Sequence, residues 1–139
     1  MPIYWRPELF LIGIKKLDDQ HQSLFDTLKQ LHESFHVEDR NNELIKTFRF
    51  LKDYAVNHFQ TEQELMEKYH YPGLAEQIGE HEIFIKDLNK MEQLFREEGA
   101  TTKLFIKLHT KLNTWLVDHI SGTDKIMGDF IKQQIDNQR

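Results

Sequence analysis

Four histidines, His21, His58, His81 and His119, each fall where a helical apolar stripe calls for a core residue. The stripes are Leu17, His21, Leu24, Leu28, Leu31, Phe35; then Leu44, Phe48, Leu51, Ala55, His58, Glu62, Leu65, Tyr69; then Leu74, Gln77, His81, Phe84, Leu88, Met91, Phe95; and Phe105, Leu108, Leu112, Trp115, His119. Glu62 sits one helical turn after His58, on the same face. A lone histidine on such a stripe is ordinarily a hydrogen-bonded core residue. Four of them with a carboxylate are a different matter, because an ionised buried carboxylate without a partner costs several kcal/mol and unsatisfied imidazoles add to that. The cluster calls for a counter-charge, and a divalent cation supplies one. The chain has no cysteine, so any metal chemistry must use nitrogen and oxygen donors. The other histidines, His32, His36, His70 and His109, lie off the stripes or in turns and are expected to be solvated or structural.

Helices must carry these residues to one place. An N-terminal arm with Ile3, Tyr4, Trp5, Leu9 and Phe10 precedes Asp18-Asp19, which reads as the cap and N-terminal charge of the first helix. The loop "VEDRNN" follows, with Asn41 or Asn42 as cap of the second and longest helix. Pro72-Gly73 ends that helix, Gly99 ends the third, and Thr101 or Thr102 caps the fourth. Gly122 interrupts the fourth helix, and "DKIMGDFIKQQI" reads as a helical tail. Short links between four amphipathic helices predict an all-α, antiparallel up-down four-helix bundle with an N-terminal arm and a short C-terminal helical tail. In that topology the early parts of the first and third helices share a level with the late parts of the second and fourth. His21 and His81 are early; His58, Glu62 and His119 are late, so all converge.

Asp124 is the awkward residue. Five residues turn a regular helix by roughly 500°, which leaves Asp124 about 140° from His119. Spacing alone therefore favours a solvent-facing aspartate, unless Gly122 permits an unwinding or bulge that brings it inward.

Composition bounds the rest. The 139 residues suit one domain spanning 1–139. A formal charge of −5 without a dense basic run argues against a nucleic-acid partner. The longest apolar run, "LFLIGI", is too short for a membrane span or a signal segment, so a cytoplasmic protein is expected.

The chain resembles the hemerythrin family, in particular its bacterial single-domain members. The likeness spans nearly the whole length and rests on "YWRPELFLIGIKKLDDQHQSLF", "HFQTE", "YPGLAEQIGEH" and "WLVDHISGTD". It implies two non-haem irons, bridged by Glu62, Asp124 and a solvent-derived oxo or hydroxo group, with dioxygen binding reversibly at one of them. It implies that His21 and His58 hold the iron with the open position, that His81 and His119 hold the other, and that Asp124 turns inward after all. Phe59, Trp115, Leu116 and Ile120 match positions of the family's apolar dioxygen pocket, though aromatic and aliphatic residues at this spacing also suit plain core packing. The resemblance also implies dioxygen as partner and an O2-consuming enzyme as its recipient.

One position departs from the pattern. The family has a histidine four residues before the one matched by His81, where this chain has Gln77. A neutral amide oxygen is a poorer donor to iron than imidazole, so that iron would use the Gln77 oxygen, a water, or nothing. The competing expectation is therefore a di-iron enzyme that reduces O2 or peroxide, or a ferroxidase-like activity. A sensing or iron-storage module ranks last.

Overall fold

The computed structural model describes residues 7–35 and 38–138, and all its regular elements are helical. Ile3, Tyr4, Trp5 and His36 lie outside the described residues, as does the Leu9 side chain. The helices are α1 (Pro7–Phe10), α2 (Lys15–Ser34), α3 (Arg40–Lys68), α4 (Leu74–Glu98), α5 (Thr102–Thr114) and α6 (Lys125–Asn137). A π-helical segment, Trp115–Asp124, joins α5 to α6 without a break. Helix α2 packs on α3, α3 on α4, α4 on α5, and α2 on α5, which closes the expected antiparallel four-helix bundle. The fourth member of the bundle is α5, the π segment and α6 in line.

The apolar stripes account for this packing. Leu17, Leu24, Leu28, Leu31 and Phe35 of the first stripe are all buried, as are Leu44, Phe48, Leu51 and Ala55 of the second. The buried residues form two clusters. The larger runs from Leu24, Phe59 and Phe84 through Leu112 and Ile120. The smaller gathers Ile12, Leu17, Met66, Met127 and Ile131, with Leu65, Tyr69 and Leu74 packed against it. On every helix the stripe passes from one cluster to the other across a polar residue: His21 between Leu17 and Leu24, Glu62 between Phe59 and Met66, His81 between Leu74 and Phe84, Asp124 between Ile120 and Met127. A polar layer thus lies between two apolar plugs.

Several helix ends differ from expectation. Helix α2 starts at Lys15, ahead of Asp18, whose carboxylate turns back to accept the backbone N–H groups of Ile12 (2.8 Å) and Gly13 (3.1 Å). Asp18 therefore pins the incoming chain and is not the helix cap. Helix α3 starts at Arg40, so Asn41 and Asn42 fall inside its first turn; the Asn42 amide donates to Asp39 Oδ1 at 2.6 Å. Thr101 does cap α5, accepting the Leu104 N–H at 3.0 Å.

Helix α3 stops at Lys68, before Pro72-Gly73. The Tyr71 N–H reaches Met66 O (2.9 Å) and the His70 N–H reaches Glu67 O (3.3 Å), the pair of bonds that closes a helix through a left-handed residue. That residue is exposed His70, at φ 55°. A side chain is disfavoured there relative to glycine. His70→Gly is therefore expected to stabilise the fold by about 0.5–1 kcal/mol, the scale of relieving one left-handed residue. Equilibrium urea unfolding of the two proteins checks this, and a loss of stability would contradict it.

Gly122 does not interrupt the fourth helix. The wider turn begins at Trp115, Gly122 has no positive φ, and a Cβ added there would meet nothing within 4 Å. The π geometry belongs to the whole segment, with no single flexible residue responsible for it.

Candidate metal centre

The polar layer is assembled from all four members of the bundle. His21 comes from α2, His58 and Glu62 from α3, Gln77 and His81 from α4, His119 and Asp124 from the π segment. All seven are buried, with Glu62, Gln77 and Asp124 at 0% exposure. The π pairing of residue i with i+5 stacks side chains five apart on one face. That is how Asp124 comes to face inward with His119, with Nε2 to Oδ1 at 3.1 Å, where a regular helix would have pointed it away.

The donor atoms form two overlapping groups, His21, His58, Glu62, Asp124 and Glu62, His81, His119. In the first, His21 Nε2 lies 3.0 Å from His58 Nε2 and 3.2 Å from Asp124 Oδ2, and His58 Nε2 lies 2.7 Å from Glu62 Oε1. In the second, His81 Nε2 lies 3.5 Å from Glu62 Oε1. The carboxylates link the groups. Glu62 Oε1 faces both His58 and His81, while Asp124 turns Oδ2 to His21 and Oδ1 to His119.

These contacts are close but are mostly not hydrogen bonds. Both oxygens of Glu62, Asp124 Oδ2 and both ring nitrogens of His81 and His119 have no hydrogen-bond partner among the described residues. Lone pairs that aim at a shared point, and not at one another, leave this signature. Ligands roughly 2.0–2.2 Å from a first-row metal and at right angles to each other lie about 3 Å apart, which matches the spacing seen here. The residues fit a pair of cations with nitrogen and oxygen donors.

Electrostatics supports the same fit. Burial alone would raise the Asp124 carboxyl, yet the imidazoles of His119, His21 and His58 hold it well below the usual carboxylate range. Burial works against a charged His58, and the Glu62 and Asp124 carboxylates outweigh it and bring the imidazole up to about 9. His119 is likewise raised, burial being overcome first by Asp124. The carboxylates thus draw positive charge onto His58 and His119, and a cation that binds must displace those protons.

Aromatic rings enclose the layer. Phe59 stacks on His81 at 3.9 Å between ring centroids, and Trp115 stacks on His119 at 3.7 Å. Leu116 and Ile120 are fully buried beside them in the larger cluster. Phe59 and Trp115 therefore clamp the imidazoles of the second group. The ring on His58 is Tyr54, at 4.8 Å, whose phenol is pushed well above its ordinary range by burial and by the Glu62 and Asp124 carboxylates. A cleft of about 270 Å³ between α2 and α3 is lined in part by Gln20, Asp53, Tyr54, Asn57 and His58.

Gln77 faces the layer, as its spacing from His81 requires. Its amide nitrogen donates to Asp124 Oδ1 at 3.0 Å and approaches Met127 Sδ at 3.8 Å, while Oε1 is buried with no hydrogen-bond partner. His32, His70 and His109 stand apart from the site. His32 and His109 pack together at 5.3 Å beside Phe105, and burial followed by the neighbouring His32 lowers His109.

Three residues at the centre escaped the sequence reading. Tyr54 is one. Gln20 is the second: its Oε1 accepts the N–H of His58 Nδ1, and its amide nitrogen donates to Thr61 Oγ1 at 3.3 Å. The third is Glu80, whose Oε2 lies 3.4 Å from His119 Nδ1. Gln20 and Glu80 directly precede His21 and His81, and that adjacency was the available signal.

Comparison with known proteins agrees with this geometry. The family model for the hemerythrin HHE cation binding domain matches residues 12–131. The bacteriohemerythrin of Stenotrophomonas maltophilia is 31% identical over 96% of this chain and 84% of its own length. That of Methylococcus capsulatus is 30% identical over 89% and 92%, and the myohemerythrin of Theromyzon tessulatum 30% identical over 88% of each. A wild-type hemerythrin crystal structure superposes with a TM-score of 0.79 at 28% identity, covering 93% of this chain and 97% of that one. With bundle, polar layer and sequence in agreement, the chain belongs to the hemerythrin family.

Proposed function

We propose that this chain holds two non-haem irons in its polar layer and binds dioxygen reversibly, as a carrier, store or delivery protein. The single observation that carries the reading is the pair of overlapping donor groups joined through Glu62 and Asp124, sealed between two apolar clusters. Bound iron would supply the electrons that dioxygen takes up and returns. In this reading His21 and His58 hold the iron with the position open to O2, and His81 and His119 hold the other. Glu62 and Asp124 span both, as their contacts to both histidine pairs support.

The chain's own part is restraint. Phe59, Trp115, Leu116 and Ile120 form an apolar wall that keeps water and stray protons from the centre, conditions that would otherwise drive irreversible oxidation. The stacked rings hold the His81 and His119 imidazoles in one orientation, and Gln20 fixes the tautomer of His58 so that Nε2 faces inward.

Gln77 favours a second reading. Its amide nitrogen points at Asp124, so no imidazole stands at this position and an iron held by His81 and His119 would have one imidazole fewer from this chain. Such a centre would suit a di-iron enzyme that reduces O2 or peroxide. Stopped-flow mixing of the diferrous protein with O2 separates the two. A long-lived visible charge-transfer absorption is expected for the carrier; conversion to the diferric form within the mixing experiment would favour the enzyme.

A further inference from the structure

Each histidine pair contains one imidazole whose outer nitrogen meets a side chain from a neighbouring helix, and the two side chains differ in charge. Behind His58 stands the neutral amide of Gln20. Behind His119 stands the carboxylate of Glu80, with Oε2 at 3.4 Å from Nδ1 and Oε1 accepting the Thr123 hydroxyl at 3.3 Å. The placement follows one rule. Gln20 precedes His21 on α2, Glu80 precedes His81 on α4, and a step of one residue rotates about 100° from the inward face. Each side chain therefore flanks the layer and reaches the histidine of the adjacent helix.

The charge difference has a consequence at the metal. A side chain that faces the outer nitrogen of a metal-binding imidazole orients the ring, and a carboxylate in ion-pair range there, as Glu80 is of His119, also makes the imidazole a stronger donor through its charge. An amide fixes without strengthening. The carboxylate stands on the side where Gln77 offers an amide in place of an imidazole, and Thr123 holds it there.

We propose that Glu80 is a positioning residue which, acting through His119, offsets the donor strength missing at Gln77. The proposal rests on the two-metal reading. It makes the two positions unequal: the first has only a neutral amide behind one of its ligands, the second a carboxylate. The Glu80 side chain is 41% exposed, so a glutamine of the same shape leaves the core packing untouched.

The test is an anaerobic titration of the metal-free protein with Co(II), read by its ligand-field absorption, in the parent, Glu80→Gln, Gln77→His and the double variant. Glu80→Gln is expected to weaken one of the two Co(II) binding steps about tenfold or more, within the range of about 10–100-fold for such outer partners, and to spare the other. In the Gln77→His background the same substitution should cost less than about threefold, because the added imidazole makes the carboxylate redundant; such non-additivity is the mark of a shared role. In the iron-loaded protein Glu80→Gln should also raise the reduction potential, which a packing role would leave unmoved. Equal weakening in both backgrounds, weakening of both steps alike, or no weakening would overturn the proposal while leaving the two-metal reading in place. A parent that takes up fewer than two Co(II) would overturn both.

Discussion

Glu62→Ala is expected to strip the protein of both metals. Glu62 Oε1 is the oxygen that approaches His58 at 2.7 Å and His81 at 3.5 Å, so its removal takes a ligand from each donor group at once. The damage extends to the metal-free fold, since Glu62 is the largest source of the positive charge held on buried His58. Breaking a buried charge pair by deleting one partner costs about 3–5 kcal/mol. For a chain of this size that lowers the melting temperature by on the order of 10 °C, in addition to the stabilisation lost with the metals. Iron analysis after gentle purification, together with calorimetry with and without chelator, reads both effects. Phe59→Ala serves as the contrast. It removes a ring that stacks on His81 but no donor atom, so it should keep its iron while that iron oxidises irreversibly faster. Retention of two irons in Glu62→Ala would mean that α3 does not supply the link.

The second large effect is expected at Gln77. The side chain is fully buried and its amide already touches Asp124 Oδ1 at 3.0 Å, so an imidazole placed there would enter the donor group of His81 and His119. Gln77→His should tighten metal retention by at least about tenfold, the scale of a single change in ligand environment. It should also lengthen the life of the oxygenated protein, because the iron away from the O2 position would have no exchangeable site. Gln77→Ala should act in the opposite sense, as it removes a hydrogen bond to a buried carboxylate worth about 1.5–3 kcal/mol and leaves Asp124 less well held. Decay of the visible absorption in the three proteins, with iron content measured alongside, checks the ranking. A histidine variant that decays as fast as the parent with unchanged iron would contradict it.

The bundle and most of its centre were legible because period and burial carry them. A histidine at a stripe position is forced inward by the leucines one turn before and after it, as with His21 between Leu17 and Leu24. Asp124 was not legible by that route, since a regular pitch points it outward. Its inward position depends on the π segment that begins at Trp115, and no glycine or proline marks such a segment: Gly122, the obvious suspect, takes no unusual conformation. The helix starts were misread for a related reason. Asp18 and Asn42 have the chemistry of caps, but they use it on the preceding backbone of Ile12 and Gly13 and on the Asp39 side chain, contacts fixed by how the chain enters each helix. Gln20 and Glu80 remained hidden because their partners, His58 and His119, are distant in the sequence and only the bundle brings them together.

Reversibility is what separates a dioxygen carrier from a di-iron enzyme. The protein would be loaded anaerobically with Fe(II), exposed to O2, then returned to argon without a reductant, over repeated cycles, with the visible charge-transfer absorption followed throughout. With two irons per chain in a sealed layer, the absorption should appear with O2, vanish under argon and return on each cycle with little loss, as reversible binding requires. A spectrum that converts to the diferric form on first exposure and stays there, or a chain that takes up no iron, would contradict it.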